Sequence, residues 1–409
     1  MEAEVKELVV GLDIGSSAIV GMVAEIDESN NLEVIGWDRK ESQGMRLGTL
    51  VDIDATVNSI NHTIEMLQRQ ADCEIREVWS TISGSHIECK QSLGLVSIKD
   101  NEVTQSDIDR VIELARTVQM PPGKEILHTL TQEFILDNEI GIRTPLGMSG
   151  MRLEAKVHYI IGGINATQNL LRCIRRCGLE IEDLYFQPLA SAESVLTPDE
   201  KELGVCLIDM GGGTTDYIVI KNQTVRHSGV IAMAGENITK AIASKFNTKL
   251  VDAEDIKRKF GKALADLAES KIEFEVPSYS EQTNRVKNAK ELSNIIEPKI
   301  QEIFSILRKE LELANVLQDI SGIVITGGSS LLYGLEELSE HILGSQTRVG
   351  VPMIEGKLSD IVRKPDCAAA VGLLRLAQQH RHMASEYAIS SGGVPGLMNK
   401  IKDWFARNF

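Results

Sequence analysis

The sequence predicts an α/β protein made of two related halves, with a small α+β subdomain inserted in the first. Two stretches carry that expectation, "ELVVGLDIGSSAIVGMVAEI" and "GVCLIDMGGGTTDYIVIKNQ": each sets apolar strand, Asp, Gly-rich turn and apolar strand in the same order. A third observation is the texture of residues 83–162, where αβ alternation gives way to short strands around one helix. At 409 residues the chain also exceeds the size at which one hydrophobic core keeps growing.

Residues 1–82 open the first half. After its hairpin, Val57, Ile60, Ile64 and Leu67 keep helical spacing, and "EVWSTIS" reads as a strand. Within the insert, "TQSDIDRVIELARTVQM" predicts a helix with Thr104 as N-cap and Asp107 in the capping position, stopped by "QMPPGKEI". Residues 163–195 return to the first half with a helix ending at Gly178, the strand "LYF" and the segment "QPLASAESVL". Residues 196–234 and 318–363 form the second half, and 364–384, with the small-residue helix "PDCAAAVGLLRLAQQH", rejoin the first. Between them, 235–317 are mainly helical and charged, with Pro298 expected at a helix start. The buried strand "GIVITGGSS" is expected to open the helix "LLYGLEELSEHIL". Residues 385–395 have the Ser/Gly/Pro character of a linker, and 396–409 those of an amphipathic helix.

Composition narrows the function. A net charge of -16 argues against nucleic acid as a partner and makes any contact with anionic lipid local. No cleavable leader and no apolar run of roughly 20 residues is present, so a cytoplasmic protein is expected. Six cysteines without a CxxC fit that compartment; Cys173 and Cys177, one helical turn apart, read as core.

Gly-rich turns present backbone N–H groups with no Cβ in the way, which is how anions are cradled. Asp13 and Asp209 end the strands beside the two turns, where carboxylates suit a hydrated Mg²⁺ bridging phosphate oxygens. Gly327, Gly328 and Ser329 follow a buried strand and are expected to bring a nucleoside to a helix N-terminus. No G-x-x-x-x-G-K-[ST] occurs and "IIGGIN" lacks the dinucleotide fingerprint, so P-loop and Rossmann readings fall away.

Together "GLDIGSSAIVG", "LIDMGGGTTD", "TGGSS" and "PDCAAAVGLL" resemble the phosphate loops, adenosine loop and connecting helix of the actin and sugar-kinase ATPase superfamily. Within it, "AKVHYI", "LGVCLIDMGGGTTD" and the terminal amphipathic stretch resemble the FtsA family of bacterial cell-division proteins over essentially the whole chain. The resemblance implies an actin-like two-lobed fold around an ATP and Mg²⁺ cleft. It also implies self-assembly into filaments, binding of the FtsZ C-terminal tail, attachment to the cytoplasmic face of the cell membrane at the division site, and room for other division partners.

Residue by residue, it implies that Gly15, Ser16 and Ser17 cover one side of the phosphates and Gly211, Gly212, Gly213, Thr214 and Thr215 the other. Asp13 and Asp209 hold the metal through water, Gly235, Glu236 and Asn237 supply the second-lobe nucleotide contact, and Gly327, Gly328 and Ser329 face the adenosine. Lys299, in the helical subdomain, is the candidate for the FtsZ tail. Two departures weaken the case for fast hydrolysis: Ala18 and Ile19 stand where many relatives carry a loop Lys, and Gln187 stands where chaperones and MreB actins carry Glu. At most a weak ATPase is expected. The alternative, a small-molecule kinase of the same fold, needs a carboxylate base beside an acceptor pocket and has no use for the tail.

In that tail, Leu397, Met398, Ile401, Trp404, Phe405 and Phe409 fall within an arc of ~140° at helical spacing, flanked by Lys400 and Lys402. An apolar stripe with cationic borders and an indole suits a helix lying in a membrane surface.

Overall fold

A computed structural model describes residues 7–117, 120–278 and 284–391, with side chains placed up to residue 382. The amphipathic stretch 396–409, with its eight membrane candidates, lies outside the described residues.

Two five-stranded sheets form the cores of the two halves, and they share one topology. In the first, strands Leu32–Glu41, Ala18–Ile26 and Glu7–Ile14 run antiparallel, and Glu77–Ile82 and Glu180–Phe186 continue in parallel. In the second, Thr224–Ile231, Thr215–Lys221 and Val205–Met210 are antiparallel, and Gly322–Thr326 and Thr347–Val349 follow in parallel. The expected repeat is therefore met at the level of strand order. Burial explains the apolar runs: every residue of Val205–Met210 is buried, as central strands covered on both faces require.

The helix Ala368–Ser391 packs against both the first sheet and the short helix Gln187–Val195. Its small residues permit a backbone approach, since a Cβ on Gly372 would lie 1.8 Å from the Ala190 carbonyl oxygen. This helix also corrects the expected linker, because it runs past 384 to Ser391. The helix formers Met383, Ala384, Glu386 and Ala388 carry it on, and the Gly pair begins only at 392.

The insert is a four-stranded antiparallel sheet, ordered Glu88–Ser97, Arg152–Gly163, Lys124–Leu136 and Glu139–Ile142, covered by the helix Gln105–Arg116. Thr104 and Asp107 form the expected capping box. The insert shields the edge strand Thr224–Ile231 of the second sheet through side chains: Gln132 Nε2 donates to the carbonyls of Val225 and Arg226 at 2.7 and 2.9 Å, and His158 Nε2 lies 2.8 Å from Ser228 Oγ.

Among the described residues, the subdomain within 235–317 holds three α-helices, Gly235–Phe246, Leu250–Phe260 and Ala289–Leu313, and a two-stranded ribbon, Glu273–Val276 with Arg285–Asn288. Here Pro298 is a correction: it lies inside the helix Ala289–Leu313, which begins at the Asn288 cap. Leu292, Ile296, Ile300, Ile303, Phe304 and Leu307 are all buried on one stripe that continues through the proline. That burial outweighs the ~3 kcal/mol an interior proline costs.

Candidate functional site

Both hairpins turn in the same way. Gly15 N donates to Ala18 O at 3.0 Å, and Gly211 N donates to Thr214 O at 3.0 Å, so each turn closes over two residues with small or absent side chains. Register places Asp13 opposite Val20 and Asp209 opposite Asp216, one residue before each strand ends. The turns meet across the lobes. A Cβ on Gly212 would lie 2.6 Å from Ser17 Cβ, and one on Gly213 would lie 2.5 Å from Ser16 Oγ. Glycine is needed here for approach rather than for an unusual φ.

The cleft between them is lined by Asp13, Gly15, Ser16 and Ser17 from the first lobe, Asp209 and Gly211 to Thr214 from the second, and Gln187, Gly327 and Gly328. Other predicted residues are not part of that lining. Gly235 N and Glu236 N donate to Gly211 O and Gly212 O at 3.2 and 2.8 Å, and Ser329 Oγ donates to Gly211 O at 2.7 Å. Asn237 caps its own helix by accepting from Ala234 N, and Thr215 Oγ1 donates to Met233 O. These groups brace the second loop. Lys299 is remote, half-exposed on its helix, with Nζ 2.9 Å from Glu302 Oε2.

Gly327 has φ +85°, and a Cβ there would strike Asp209 Oδ1 at 2.5 Å, so only glycine fits. The expected helix N-terminus is absent at this point. Gly328–Leu331 is a single 3₁₀ turn, and the α-helix Leu335–Leu343 starts later because Gly334, at φ +85°, breaks the path.

Hydroxyl groups hold the buried carboxylates. Thr81 Oγ1 donates to Asp13 Oδ1 at 2.6 Å, and Ser191 Oγ donates to Asp209 Oδ2 at 2.6 Å with Gln187 Nε2 at 3.4 Å. A third carboxylate, Asp216, accepts from Ser83 Oγ at 2.5 Å and Thr214 Oγ1 at 3.0 Å. Burial pushes Asp13 up to about 7, with Thr81 opposing and the Asp209 charge adding to the rise. Burial likewise raises Asp209 and pushes Asp216 up to about 8.

Such a site wants positive charge. Among the described residues no three carboxylate, imidazole or thiol side chains converge into a cage made of protein alone. Two separated carboxylates facing backbone N–H loops instead fit a hydrated divalent cation shared with a polyphosphate. A larger groove of about 660 Å³ lies between the insert and the helix Ile164–Arg176, lined by Ile126, Leu127, Arg172 and Arg175, but it contains none of these glycine turns.

The sequence reading missed Asp216, Arg39, Ser83, Thr81, Ser191 and Asp366. Asp216 was legible, as the last residue of "LIDMGGGTTD" on the strand facing Asp209. Arg39, Thr81 and Ser83 carry no local signal and reach the site through the pairing of their strands, whereas Ser191 comes from the helix Gln187–Val195 and Asp366 from the single turn Pro365–Cys367.

The chain matches the family model described as "Cell division protein FtsA" over residues 206–372, and that described as "SHS2 domain inserted in FTSA" over 84–161. It is 40% identical to Cell division protein FtsA of Pseudomonas aeruginosa over 410 residues, which cover 98% of each chain. Among solved structures it is similar to one from a PilM-PilN type IV pilus biogenesis complex, with TM-score 0.65, 19% identity, and coverage of 90% of this chain and 98% of that one. It is also similar to MreB5 of Spiroplasma citri bound to ADP, with TM-score 0.56, 12% identity and coverage of 93% and 98%. A MamK double helical filament gives TM-score 0.51, 13% identity and coverage of 91% and 98%. These likenesses show the actin-like fold with its inserted α+β subdomain.

The raised carboxylates set a pH dependence. Between a normal unfolded value of roughly 4 and folded values of about 7 and 8, Asp13 and Asp216 bind more protons folded than unfolded. Their contribution is complete at low pH and lost as pH rises through the folded values. His86 and His128, lowered to about 4, act in the opposite sense, but only below roughly pH 6.5. The thermal midpoint of the ligand-free protein should therefore fall from about pH 6.5 to 8.5, and Asp216→Asn should flatten the fall. A midpoint that holds level across that range in the parent would contradict these assignments.

Proposed function

The chain belongs to the FtsA family of cell-division proteins, and from that premise we propose that it is an ATP-binding adaptor that assembles on the membrane and holds FtsZ there. One observation carries the nucleotide part: two glycine turns from opposite lobes face each other over the buried pair Asp13 and Asp209. Gly15, Ser16, Ser17 and Gly211 to Thr214 receive the phosphates, and Gly327 and Gly328 the nucleoside. Asp13 and Asp209 hold Mg²⁺ through water, the metal supplying charge neutralisation at the phosphates. Gly235, Glu236, Asn237, Thr215 and Ser329 set the second loop in place. Gln187 orients water, but an amide takes no proton, so turnover is slow.

The cleft measures about 70 Å³, against roughly 300–1,000 Å³ for small-molecule sites, so the lobes part to admit the nucleotide. Nucleotide that closes them again biases the chain toward one lobe arrangement, which suits assembly by repeated contacts. The small-molecule kinase reading receives no support from the family.

Residues 396–409 supply the membrane contact. Burial of large apolar side chains there is worth ~1.5–3 kcal/mol each, but ordering a free tail consumes much of it. One tail binds weakly; a filament presents many, and later contacts become intramolecular. For the FtsZ tail, Lys299 is the proposed contact, since a surface pair such as Lys299 with Glu302 is worth at most ~1 kcal/mol and yields readily to another carboxylate.

Three measurements test these parts. Gly212→Val forces the loops apart and should weaken ATP binding about 5- to 150-fold by calorimetry, the range set by ~1–3 kcal/mol of overpacking; unchanged affinity would misplace the site. Trp404→Glu should release the protein from anionic liposomes in sedimentation at matched salt and ATP without altering its melting, and equal pelleting would refute the membrane role. Lys299→Glu should weaken binding of an FtsZ C-terminal peptide severalfold, reading out the loss of an attraction and the gain of a repulsion. A peptide affinity equal to the parent's would strike Lys299 from the interface.

A further inference from the structure

Among the described residues, the cleft is lined by one cationic side chain, Arg39, together with three carboxylates, Asp13, Asp209 and Asp366. A polyphosphate entering that lining meets backbone dipoles on both sides, and among the lining side chains Arg39 offers the one full positive charge. The strand Leu32–Glu41 places Arg39 opposite Val20 and Glu41 opposite Ala18. Side chains two apart share a sheet face, so Arg39 and Ala18 lie on the same face beside the first glycine turn. Ala18 follows that turn directly and carries no charge.

Arg39 is held loosely. Its Nε is buried and 3.4 Å from Asp366 Oδ2, yet it makes no hydrogen bond, and Asp366 Oδ1 is likewise buried without a partner. A guanidinium carries five donors in a planar fork suited to paired oxygens, and this contact uses little of that capacity. Both side chains are largely withdrawn from water, where an incompletely bonded charge is costly and a better partner is strongly favoured.

We propose that Arg39 is the phosphate-binding cation of this cleft, taking from the neighbouring strand the place that Ala18 leaves empty on the turn. Asp366 keeps the guanidinium at the cleft until the phosphates displace it. This assignment rests on the nucleotide reading given above and adds the residue that reads its charge.

Calorimetry on the full chain with Mg²⁺ distinguishes the two. The parent should bind ATP, and Arg39→Ala should weaken ATP about tenfold or more, as expected for loss of a hydrogen-bonded charge, while leaving adenosine unchanged. Arg39→Lys should fall between them. Adding Ala18→Lys to Arg39→Ala should recover most of the ATP affinity, because the new amine stands on the same face; recovery also shows that the Arg39→Ala fold is intact. Equal ATP affinity in parent and Arg39→Ala would overturn the assignment while leaving the cleft as the site. Equal weakening of ATP and adenosine would also overturn it, making Arg39 a strut. A parent that binds no ATP would remove the nucleotide reading and this one with it.

Discussion

The contact of two turns across the lobes, with no space for a β-carbon between Ser17 and Gly212, is the constraint around which the molecule is arranged. For the turns to touch, both hairpins must end at the same height, and the matched sheet topologies deliver that. For the second turn to keep its shape, its carbonyls must be satisfied, which the first N–H groups of the helix Gly235–Phe246 and the Ser329 hydroxyl accomplish. For the lobes to stay in line, the helices Gln187–Val195 and Ala368–Ser391 must lie almost backbone to backbone, hence Gly372 against Ala190. Two of these demands, the meeting of the turns and the approach of the helices, are steric, and glycine at 212 and at 372 answers them.

A second theme is that neutral donors, not cations, hold the acidic centre. Thr81, Ser191, Ser83 and Thr214 all present hydroxyls to Asp13, Asp209 and Asp216. A hydroxyl donates to an ionised carboxylate and accepts from a protonated one, so these partners tolerate either state. The carboxylates can thus stay proton-loaded when burial dominates and ionise when positive charge arrives, without rearranging what surrounds them.

How much of this was legible in the sequence depended on how local the signal was. The hairpins, the Thr104 capping box and the small-residue helix could be read because their meaning lies within a few residues. Arg39 could not, since nothing in "WDRKES" says that its strand lies beside the one leaving the first turn. Thr81 and Ser83 end or follow a strand that reaches the site only through parallel pairing with Glu7–Ile14. Pro298 and Gly334 misled in opposite ways: burial carried a helix through the first, while a positive φ at the second delayed one that seemed continuous. Local propensity lost to tertiary packing in one case and to backbone geometry in the other.

The first hairpin emerges early from synthesis, yet Val9, Val20 and Met22 on one of its faces are covered by Ala370, Val371, Leu373 and Leu374 of the last described helix. At roughly 5–20 residues per second, the ribosome delivers that cover about 20–70 s after the strands it protects. During that interval an apolar sheet face and its neighbouring edge stand open in a crowded compartment, the situation in which strands find wrong partners. The order in which this chain is made therefore differs from the order in which it can become stable, and its first lobe is the part that waits.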